Sequence, residues 1–73
     1  MATQEDTIRS YLADRHNVEI ENVKTGSEAT AWEAGLYHGE ADSWVVYGTM
    51  PNTNQDGWFY AGNTRSIARE MAA

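Results

Sequence analysis

The spacing of apolar residues changes period twice along this chain. Near the amino terminus Ile8, Tyr11 and Leu12 recur at i, i+3 and i+4, the spacing of a helix that buries one face. Thr3 with Asp6 three residues later forms a capping box, Glu5 and Asp6 sit where the helix dipole favours negative charge, and Asn17 supplies a left-handed stop. From there the period falls to two. Val18 and Ile20 alternate with Glu19 and Glu21, which predicts a first strand, and Lys24-Thr25-Gly26-Ser27 reads as the turn that follows it.

Residues 28–38 carry both patterns. Ser27 before an Ala-rich run suggests a capped helix, while Thr30, Trp32, Ala34 and Leu36 alternate as one face of a strand; Gly35 tips the reading towards strand because it costs a helix stability. His38 to Asp42 then reads as a turn. Ser43 to Met50, with Trp44, Val45, Val46 and Tyr47 in a row, is the strongest β signal, and Pro51 ends it. The polar loop Asn52 to Gly57 reverses the chain into Trp58, Phe59, Tyr60 and Ala61, a hairpin. Asn63 or Thr64 caps a final short helix with Ile67 and Met71 on one face and Arg65 and Arg69 on its polar side. The expected fold is an α+β single small domain, residues 1–73, with α-β-β-β-β-α order: an antiparallel meander sheet with both helices packed on one face.

Period two then divides the side chains between the faces. Val18, Ile20, Trp32, Leu36, Trp44, Val46 and Phe59 are expected inward against Ile8, Leu12, Ile67 and Met71. The opposite face collects Glu33, Tyr37, Val45, Tyr47, Trp58 and Tyr60, with three of the four tyrosines. Tyrosine and tryptophan join a large rigid surface to a polar tip, which suits them to protein interfaces. The plainer reading is that these aromatics tolerate water and stabilise the sheet as cross-strand pairs.

Composition bounds the function. Hydrophobic residues make up 41 % and charged residues 22 %, with three Trp, four Tyr and one Phe, values of a folded chain. With 73 residues and no Cys, disulfides and thiolate metal sites are excluded, leaving compact packing or self-association to stabilise a small core. The polar, acidic amino terminus has no basic-then-apolar order of a secretory signal, and no apolar run reaches membrane-spanning length, so a soluble cytoplasmic protein with no membrane partner is expected.

The charge, formally −6, is unevenly placed. Residues 25–64 hold five acids and no Lys or Arg, so that segment cannot neutralise phosphates, and direct nucleic-acid binding is disfavoured. Exposed aromatics on a sheet stack RNA bases only alongside cations, and none is expected on these strands.

Catalytic chemistry finds little support. The loop residues Asn52, Asn54, Asp56 and Gly57 match the opening of a calcium loop but lack its terminal bidentate Glu, position 63 being Asn. His38, Glu40, Asp42 and His16 do not make a recognisable ligand set. There is no nucleophile elbow, P-loop or dinucleotide glycine pattern. The expectation is a protein that is not an enzyme and needs no cofactor.

In size, acidity and lack of motifs the chain resembles, in composition only, the acidic inhibitors that phages and plasmids direct against host defence complexes, anti-CRISPR proteins and DNA mimics among them. That resemblance implies a non-catalytic inhibitor docking a basic surface of a nucleic-acid-handling protein. Glu28, Glu33, Glu40, Asp42 and Asp56 would steer it, and Tyr37, Tyr47, Trp58 and Tyr60 would anchor it. The alternatives are a small structural protein that forms a homodimer through the aromatic face, and a salt-adapted chain, with one Lys against four Arg, whose acidity serves solvation.

Overall fold

The structure, a computed structural model, describes residues 3–28, 42–51 and 53–73. The described elements are helix α1 (Gln4–His16), a 3-10 turn (Ile20–Asn22), strands β1 (Val23–Thr25), β2 (Ser43–Thr49) and β3 (Asp56–Asn63), and helix α2 (Thr64–Ala72). They form a mixed α+β architecture with an antiparallel sheet ordered β1-β2-β3. The strand expected within 28–38 lies outside the described residues, apart from Glu28 in a turn.

Local chemistry explains the helix ends. Thr3 accepts from the Asp6 N–H and Asp6 reaches back to the Thr3 N–H, closing the capping box. Asn17 is left-handed at φ 53°, and the Val18 N–H returns to the Ala13 carbonyl. At α2 the Asn63 side chain accepts from the Ser66 N–H.

That C-terminal cap displaces the first strand. Val18 to Glu21 is not a strand: after Asn17 turns the chain, Val18 tucks against Gly48, the Asn22 N–H closes onto the Glu19 carbonyl, and Ile20 is left 50 % exposed. Strand pairing begins only at Val23, which takes the core position expected of Ile20. Lys24 and Thr25, expected in a turn, belong to this strand, and the Gly26 N–H continues the ladder to the Ser43 carbonyl.

The core forms where α1 and α2 meet the sheet. Ile8, Leu12, Ile67, Val23, Trp44 and Val46 make one buried cluster, with Phe59, Ala61, Val18 and Met71 packed against it. Trp32 and Leu36, also expected inward, lie outside the described residues. The Trp44 indole N–H donates to Thr64 Oγ1, and both Thr64 donors reach the Asp42 carbonyl, tying the start of β2 to the start of α2. The β2–β3 register shifts between Trp44, opposite Gly62, and Val45, opposite Tyr60. Ala61 is therefore the extra residue of a bulge, and Gly62 supplies its φ of +123°, a value L side chains rarely adopt.

Candidate functional site

On the face of the sheet away from the core cluster, cross-strand register decides which side chains meet. Lys24, Val45 and Tyr60 lie in one row across the strands, Tyr47 and Trp58 in the next, and Thr49 and Asp56 in the last. Tyr47 and Trp58 pack edge to face with ring centres 5.4 Å apart. Tyr60 is 51 % exposed and Tyr47 38 %, so the expected anchors do reach solvent while Trp58 is half-buried. At the end of the row the Thr49 hydroxyl donates to Asp56 Oδ1 at 3.3 Å.

Two features differ from the sequence expectation. Val45 is fully buried although it points to this face, so the face is not uniformly wet. Lys24 places its ammonium 5.3 Å from the centre of the Trp58 ring, so the sheet carries a cation where none was expected.

Beside the last row lies an open groove of about 400 Å³ lined by Tyr47, Gly48, Thr49 and Asp56 on one wall and His16, Asn17, Val18, Glu19 and Asn22 on the other. It exists because β1 begins only at Val23, opposite Val46, whereas β2 continues to Thr49. Tyr47, expected on the aromatic face, and Asp56, expected in the hairpin loop, both line this groove, and Glu19, expected on the outer side of a first strand, joins them from the start of the 3-10 turn. His16 packs edge-on to Phe59 at 5.1 Å between ring centres. Burial, reinforced by the neighbouring Arg15 charge, holds its imidazole below the usual histidine range against an opposing pull from Glu70.

Glu28 is engaged elsewhere. Its carboxylate accepts from Arg9 of α1 at 2.7 Å and from both the N–H and the hydroxyl of Thr25. Burial works to raise its pKa, but Arg9 and the Thr25 donors outweigh that and hold it below the usual carboxylate range. Arg9 in turn bonds Glu5 and the Val23 carbonyl and stacks over Trp44 at 5.4 Å, so Glu28 belongs to a network bracing α1 against β1. Asp42 is exposed at the start of β2. Glu33, Tyr37 and Glu40 lie outside the described residues.

Among the described residues no group of three or more His, Cys, Asp or Glu side chains is placed to hold a metal, and no helix is long and apolar enough to cross a membrane. Compared with known proteins, the chain matches no family model, no curated protein and no solved structure.

Proposed function

We propose that this chain is a non-catalytic interaction module, an inhibitor or DNA-mimic-type antagonist of the anti-defence, anti-CRISPR-like kind, that docks a basic surface of a nucleic-acid-handling protein. The observation that carries this reading is the continuity of Tyr47, Trp58 and Tyr60 with the groove bearing Asp56 and Glu19. Rigid aromatic area supplies contact at small entropic cost, and the adjoining carboxylates stand in for phosphates. Lys24 lies at the far row of the face, so the acidic end is the one that meets the partner's cations.

The direct test is capture by the tagged chain from a nuclease-treated lysate, washed in rising salt. The reading expects a basic nucleic-acid-binding protein released progressively by salt, and markedly less of it on Asp56→Asn and Glu19→Gln chains. Equal capture by those variants would remove the mimic.

A further inference from the structure

We infer that the outer edge of β3, which no described strand pairs, pairs antiparallel with β3 of a second copy, giving a closed two-fold dimer with one continuous sheet. Strand order makes β1 and β3 the edges among the described residues. Natural edges are blunted by shortness, charged side chains, proline or bulges. The β1 edge has that protection, being three residues long and carrying Lys24. The β3 edge runs for eight residues, Asp56–Asn63, with no Lys, Arg or Pro; it carries one acid, Asp56, at its start and its bulge only at the Ala61 end.

The ladder fixes which groups face outward. The Met50 N–H bonds the Gln55 carbonyl, so hydrogen-bonded pairs with β2 alternate from there to Gly48 with Gly57 and Val46 with Phe59. Asp56, Trp58 and Tyr60 therefore direct their backbone N–H and C=O groups away from β2. The bulge after Tyr60 ends this regular stretch, whose midpoint is Trp58.

A second copy centred on Trp58 fits that stretch from its first residue to its last. Trp58 then faces its own symmetry mate, and each Asp56 faces Tyr60 of the other copy, a carboxylate opposite a phenolic hydroxyl. Centring on Asp56 instead would oppose two like charges. Among the described strands the Trp58-centred pairing uses both β3 edges and leaves the short, lysine-bearing β1 edges, so growth stops at two copies. Because the two-fold axis runs through the sheet, both aromatic faces lie on the same side of it, unlike a dimer that buries them face to face. This inference does not depend on the basic partner.

Sedimentation equilibrium of the full chain from micromolar to millimolar concentration tests it, with two substitutions that act in opposite directions. Tyr60→Lys places a cation opposite Asp56 at two symmetric positions and is expected to tighten the dimer about three- to tenfold; Tyr60→Asp opposes like charges and is expected to loosen it by a similar factor. Trp58→Lys, which sets two ammonium groups against each other at the axis, is expected to give monomer throughout while keeping the far-UV spectrum of the fold. A chain that stays monomeric to millimolar concentration overturns the inference. So does a dimer indifferent to both Tyr60 substitutions, or one that continues into longer polymers.

Discussion

Lys24 lies over Trp58, its ammonium 5.3 Å from the ring centre, although 34 residues separate them in sequence and β2 separates their strands. The pair follows from register: Lys24 sits opposite Val45, Val45 opposite Tyr60, and Trp58 is one row along on the same face. An ammonium over an indole at a partly exposed site contributes roughly 0.5–1 kcal/mol. It also brings an ammonium group into the row that holds Val45 and Tyr60.

Lys24→Met should therefore have opposite effects on folding and docking. Stability to urea is expected to fall by about 0.5–1 kcal/mol, while association with a basic partner becomes faster at low salt because the face loses its cation. Denaturation curves and association rates at two ionic strengths check both halves.

Glu28 is expected to behave as a bracing residue. Glu28→Ala leaves the Thr25 N–H and hydroxyl without their acceptor and deprives Arg9 of one carboxylate, a loss of about 1–2 kcal/mol in chemical denaturation. Because its carboxyl is held below its ordinary value of 4.5, its stabilisation is complete above that pH and is lost as the pH falls through the lower folded value. Glu28→Gln should flatten the acid side of the stability profile. Partner capture should be retained.

His16 gives a second, separate pH window. The fold favours its neutral form, so the unfolded chain binds the proton first as the pH drops below 6.5, and stability declines from there. His16→Gln should remove that decline while leaving the one at lower pH, a distinction that thermal melts between pH 4 and pH 8 resolve.

Gly48 makes room for Val18. A Cβ at Gly48 would lie 2.8 Å from Val18 Cγ1, a short, stiff side chain with little freedom to retreat. Gly48→Ala is expected to cost about 1–3 kcal/mol, and much of that cost should disappear in combination with Val18→Ala. A double-mutant cycle by urea denaturation measures the coupling.

These residues also mark how far the sequence was legible. The capping box at Thr3 and Asp6, the stop at Asn17, the cap at Asn63 and the hairpin of β2 with β3 were readable because each depends on neighbours a few positions apart. The first strand was not, since alternation at Val18 to Glu21 is the same whether the segment pairs or turns, and the cap at Asn17 decided for the turn. Of the residues at the site, the shared face of Tyr47, Trp58 and Tyr60 followed from alternation within one hairpin, whereas Asp56, expected in the loop, begins β3 and joins that face only through the register. Lys24 over Trp58, Glu19 in the groove and the bracing role of Glu28 depend on where β1 and α1 fall in space, which period and charge counts along the chain do not carry.

Displacement by DNA tests the central claim most directly. The immobilised chain is loaded with nuclease-treated lysate at low salt and then challenged with double-stranded DNA. Docking on a nucleic-acid-binding surface predicts that DNA strips the captured protein from the resin, and that a Tyr47→Ala, Asp56→Asn chain loads far less of it. Protein that stays bound under saturating DNA, or loads equally on the variant, would contradict the account.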